Sequence, residues 1–124
     1  MTPWVSLETH GARAVRVISH DVPFDTLEDV VTAYGGAADA LERMDRARMG
    51  VVVDLRSAPS RNDPAFEATV APLRKRLFTD FARRAVLVRS AVGKLQVKRH
   101  AAQDGIDVEV FHDLDEAVAW ISTP

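Results

Sequence analysis

Asp54 ends the unbroken apolar run Gly50-Val51-Val52-Val53-Asp54, and a carboxylate so placed is able to hold a metal ion or accept a phosphoryl group. The competing reading is an ion pair with Arg56 or Arg61, the common fate of acids at strand ends. Ser90, followed by Ala91-Val92-Gly93, can cap a helix and offer free N–H groups to an anion. No Gly-x-Ser-x-Gly elbow surrounds it, so it is not read as a hydrolase nucleophile. His10, His20, His100 and His112 form no i, i+4 pair and have no ligand cluster nearby. Cysteine is absent, which removes thiolate nucleophiles and thiolate metal ligands. The expectation is therefore a domain without catalytic residues, metal or cofactor.

Charge is distributed more informatively than its net value of −2 suggests. Between Arg74 and Arg99 nine basic residues face Asp80 alone, whereas Asp104 to Glu116 holds six acids and no Lys or Arg. The basic block reads as the wet faces of two helices, partly neutralised by the acidic segment. Within it Arg74, Lys75, Ser90 and Lys94 are candidate anion-binding residues, for a small anion or an anionic membrane surface. Nucleic acid is not expected, because the block lacks neighbouring aromatics and a recognition motif. Trp4 and Trp120 read as core or rim residues rather than stacking platforms.

These side chains need a scaffold, and the hydrophobic pattern supplies one. The chain of 124 residues fits a single domain over 1–124, with one core and no need of disulfides. Trp4 to Thr9 and Ala12 to Ser19 alternate around His10-Gly11, predicting an antiparallel hairpin. A helix is expected from Asp25, with Glu28 as its reciprocal capping partner and a stripe of Leu27, Val30, Val31, Tyr34, Ala38, Leu41 and Met44. Gly35-Gly36 is expected to kink or split it. Val51 to Leu55 reads as a strand buried on both faces.

Asp63 then caps a helix with Pro64 at its first position, and Phe66, Val70, Leu73, Leu77 and Phe81 form its apolar face. Pro72 should bend or divide that helix. Ala85 to Val88 is a second buried strand, and Ser90 caps a helix expected to turn Val92, Leu95 and Ala102 inward. Gly105 ends that helix, and Ile106 to Phe111 alternates like a strand near an edge. Asp113 opens a last helix packed through Leu114, Ala117, Val118 and Ile121. The order ββαβαβαβα predicts an α/β fold with a mixed, mostly parallel sheet flanked by helices, the first strand antiparallel at one edge. Ligands of such sheets bind outside the carboxyl ends of the strands, which here means the loop Ser57-Ala58-Pro59-Ser60-Arg61-Asn62.

Val-Val-Val-Asp followed by Ser90 at the next strand end resembles the receiver domains of bacterial response regulators. That family requires an acidic pair after its first strand and a Lys after its last; this chain has a hairpin at the first place and His112-Asp113 at the second. A fuller resemblance is carried by the element order, by Val51 to Arg56, Arg61-Asn62-Asp63-Pro64 and Ala85 to Val88, and by the closing Glu116-Ala117-Val118-Ala119-Trp120-Ile121. Together these look like the SpoIIAA-like group of the STAS superfamily, whose relatives include CRAL-TRIO-like lipid-binding forms. The resemblance implies a small cytoplasmic regulatory domain, usually without catalysis, that binds a protein partner through Ser57, Ser60, Arg61, Asn62 and Asp63. Its alternative implication is a small-ligand, lipid or anionic membrane-surface binder. The anti-sigma-factor antagonists carry an Asp-Ser-Ser/Thr-Gly motif where this chain reads Asn62-Asp63-Pro64-Ala65, without the phosphorylated hydroxyl; Ser57 and Ser60 are the nearest hydroxyls.

Overall fold

Side-chain alternation along the strands produces two cores of unequal size in the computed structural model, which describes residues 2–124. The strands are β1 (Val5–Thr9), β2 (Ala14–Ser19), β3 (Gly50–Asp54), β4 (Arg83–Leu87) and β5 (Glu109–Phe111). The helices are α1 (Leu27–Leu41), α2 (Pro64–Phe78), α3 (Ala91–Asp104) and α4 (Leu114–Ile121). The sheet order is β1-β2-β3-β4-β5, antiparallel only between β1 and β2. Every parallel crossover therefore steps one strand in the same direction. Right-handed crossovers of that kind put α1, α2 and α3 on one face and leave α4 for the other.

The larger core joins Val15, Val17, Val51, Val53 and Val86 to side chains from α1, α2 and α3. The smaller one packs Ala117 and Ile121 of α4 on Ala14, Val52, Ala85 and Leu87. β3 lies at the centre with all five residues buried, as its apolar run predicts. Gly50 is required there. A Cβ on it would stand 2.5 Å from Ile121 Cβ and 2.8 Å from the Ile121 carbonyl carbon, so α4 closes only over a bare backbone.

Several local expectations are corrected. α1 is capped by Thr26 rather than Asp25, with Thr26 Oγ1 accepting from Asp29 N (3.1 Å) and Asp29 Oδ2 accepting from Thr26 N (3.3 Å). It runs unbroken through Gly35-Gly36, because burial of Ala33, Tyr34, Ala37, Ala38 and Leu41 outweighs a cost of about 1 kcal/mol per glycine. The stripe is rotated so that Val31 is exposed. α2 likewise continues through Pro72; Pro72 and Ala68 are exposed, so water can satisfy the carbonyl that loses its donor. Phe81 is buried but lies beyond the helix end. β5 is only three residues long, matching the three residues of β4 that it pairs. Ile106 and Val108, predicted to belong to it, pack on the larger core instead.

α3 departs furthest from expectation. Ser90 caps it and Gly105 ends it at φ 68°, both as predicted, but Val92 and Leu95 are 67% and 69% exposed. The buried side chain is Val97, with Gly93 and Ala101 one turn to either side. A Cβ at Gly93 would stand 3.3 Å from Ser90 Oγ and in ordinary van der Waals contact with Val88 Cβ at 3.5 Å, so the start of α3 lies against the residue that follows β4. Small residues, not the larger ones, face the sheet.

Candidate functional site

Because the inward positions of α3 are Gly93, Val97 and Ala101, that helix leaves space above the sheet that larger side chains would fill. A cleft of about 660 Å³ lies there, between α2 and α3 over the face of β3 and β4, reaching from residues 58–62 at their carboxyl ends to Phe78, Ile106 and Val108 at the other end. Its floor is Val53, Val86 and Val88, its α2 wall includes Phe66, Val70 and Leu77, and Val97 faces them from α3. Phe24 and Tyr34 line it as well; Phe24 packs against Phe66, Tyr34 and Trp4. Burial raises the Tyr34 pKa, and its hydroxyl shares a 2.7 Å hydrogen bond with Ser19. Trp4 thus belongs to a rim, as does Trp120 against Phe111 and Arg83.

The predicted loop lies at this cleft. Ser60, Arg61 and Asn62 line it, whereas Ser57 and Asp63 do not. Arg61 is fixed by Asp63 Oδ1 at 2.7 Å and by the Phe66 ring, whose centroid is 5.0 Å away. Asp63 also caps α2 by accepting from Phe66 N, and the Arg61 guanidinium holds its carboxyl below the usual range.

The predicted anion-binding residues are dispersed. Ser90 lines the cleft, its Oγ accepting from Gly93 N (3.0 Å), and Lys75 and Lys94 lie outside the lining. Arg74 is committed to Asp104 (2.8 Å) and Glu67 (3.5 Å). His100 lies 3.4 Å from the same Glu67, so four charged or titratable groups tie α2 to α3 on one side of the cleft. Burial, followed by the Arg74 charge, lowers the His100 pKa. Sequence reasoning missed this cluster and the cleft. The spacing Gly93, Val97, Ala101 was the available signal.

Asp54 faces the other side of the sheet, over β2. Oδ2 accepts from Arg16 Nη2 (2.6 Å), Arg16 Nε (3.1 Å) and Arg56 Nη2 (3.0 Å), and Oδ1 from Arg56 N and Nε (both 3.1 Å). Burial pushes its pKa up, but the Arg56 and Arg16 bonds prevail and hold it below the ordinary value of 3.8. The ion-pair reading therefore holds, with Arg16 rather than Arg61 as the second partner. Arg16 continues to Glu8 (3.2 Å), which stands 2.6 Å from His10. Among the described residues, no group of three or more His, Cys, Asp or Glu side chains is placed to hold a metal ion.

Helix placement, strand order and the cleft between α2 and α3 define an α/β domain of SpoIIAA-like fold. The backbone is similar to that of an uncharacterized protein from the DUF3478 family with a SpoIIAA-like fold from Shewanella loihica PV-4, with a TM-score of 0.66. The two share 12% sequence identity over 94% of this chain and 91% of that one. No family model matches the sequence, and no curated protein matches it. No helix among the described residues is long and apolar enough to cross a membrane.

Proposed function

We propose that this chain is a non-catalytic cytoplasmic binding domain whose cleft between α2 and α3 holds a small, mainly apolar ligand. The observation that carries the reading is the cleft itself. Its 660 Å³ falls within the roughly 300–1,000 Å³ usual for small-molecule sites, and apolar side chains from both strands and helices line it. α3 encloses it with a single buried side chain, Val97, so little packing opposes entry. Filling the space is the direct test. A neutral fluorescent probe, N-phenyl-1-naphthylamine, is expected to bind saturably to the native domain. Val97→Trp should weaken that binding by about tenfold or more, a change equivalent to about 1.4 kcal/mol, with helical circular dichroism preserved. Unsaturable binding, or binding unchanged in a folded Val97→Trp variant, would overturn the reading.

A second reading, a regulatory domain that docks a protein partner, is favoured by the exposed polar loop at the cleft mouth and the fixed orientation of Arg61. On that reading a partner retained by the intact domain is lost from Arg61→Ala/Asn62→Ala. The fold should survive, since both residues are exposed. A partner retained equally by both proteins, in a pull-down read by mass spectrometry, would exclude this loop as the docking surface.

A further inference from the structure

The charges around the cleft are unbalanced, and the imbalance specifies the ligand more closely. Four arginines line it, Arg61, Arg74, Arg89 and Arg99, against two carboxylates, Glu67 and Asp104. Both carboxylates are taken by Arg74, and Arg61 is taken by Asp63 outside the lining. Among the described residues, no carboxylate lies within ion-pair distance of Arg89 or Arg99. Arg89 makes one hydrogen bond, from Nη1 to the Arg56 carbonyl at 3.2 Å, which leaves most of its five donors free. Arg89 follows the end of β4 and Arg99 projects from α3, so the surplus charge comes from two separate elements that border the same apolar space.

Resting on the ligand-binding reading above, we infer that the cleft is built for an anionic amphiphile. Its apolar body lies against Val53, Val86 and Val88, and its carboxylate or phosphate meets Arg89 or Arg99 at the border of that space. The chemistry follows from the inventory. A neutral apolar molecule would gain from the floor but leave the two guanidiniums to water, and a cation would be repelled by them. A guanidinium offers a carboxylate or phosphate paired, charge-assisted hydrogen bonds, which are stronger than neutral ones.

The test compares four ligands of one chain length, each below its micelle concentration, in displacing N-phenyl-1-naphthylamine from the native protein: dodecanoate, dodecyl phosphate, dodecanol and dodecylammonium. Either anion, or both, should displace the probe at least about tenfold more strongly than dodecanol, and the ammonium should be weakest. The two anions relative to each other reveal which head group fits. Arg89→Gln/Arg99→Gln should erase the anion's advantage over dodecanol, and Lys75→Gln/Lys94→Gln, outside the lining, should leave the advantage intact. Dodecanol binding as tightly as both anions would overturn this inference and leave the cleft reading standing. So would equal losses from the two double variants, which would point to the diffuse field of the basic block. Failure of all four ligands, and of the probe, would remove the ligand-binding reading itself.

Discussion

Gly50→Ala is expected to destabilise the domain by about 2–3 kcal/mol, a large effect for a single methyl group. The added carbon would overlap the backbone of Ile121, so no rotamer change can relieve it. Relief requires the last turn of α4 to move away from β3, which exposes Ile121, now 2% accessible, and opens the smaller core. Insertion without movement costs a comparable amount in strain. Against a total stability of roughly 5–15 kcal/mol, the loss should be plain in the midpoint of urea unfolding. Gly36→Ala is the matched control. Nothing lies within 4 Å of a Cβ there, and within α1 the change should stabilise by about 0.5–1 kcal/mol. Equal midpoints for the two variants would mean that α4 does not close on Gly50 as described.

The same glycine illustrates how far the sequence could be read. The run after Gly50 was legible because a central parallel strand has no wet face, and its apolar character is then independent of register. The caps at Asp63, Ser90 and Asp113 were legible because each satisfies free N–H groups by chemistry confined to one helical turn. Tertiary choices were not. Which face of α3 turns inward is settled by packing between different elements, with Val97 buried against the local preference of Val92 and Leu95 for burial. That choice creates the cleft, so the candidate site was hidden for the same reason that the helix face was misjudged. The loop Ser57 to Asp63 was placed correctly at the carboxyl edge by topology, yet Arg89 and Arg99 could not be distinguished from the other basic residues. Their lack of carboxylate partners is a property of the folded arrangement.

Asp54→Asn is expected to cost roughly 3 kcal/mol at neutral pH, at the low end of the range for breaking a buried ion pair. Asp54 is 3% accessible and accepts five hydrogen bonds from Arg16 and Arg56; an amide of the same shape turns an N–H₂ group toward one set of those donors. The figure stays at the low end because the side chains of Arg16 and Arg56 are 16% and 35% exposed and can recover water. The dependence on pH identifies the mechanism. The folded pKa of Asp54 lies below its ordinary value of 3.8, so the native state binds fewer protons there than the unfolded chain. Its contribution is therefore complete above 3.8 and is lost as pH falls through the lower folded value. Urea unfolding of both proteins, stepped from pH 7 to pH 3, should give a difference that is constant at first and narrows only at the acid end. A difference independent of pH over the whole range would show that the amide disturbs packing rather than charge, and would remove the Arg16–Asp54–Arg56 pairing as the reason a carboxylate can be buried beneath this side of the sheet.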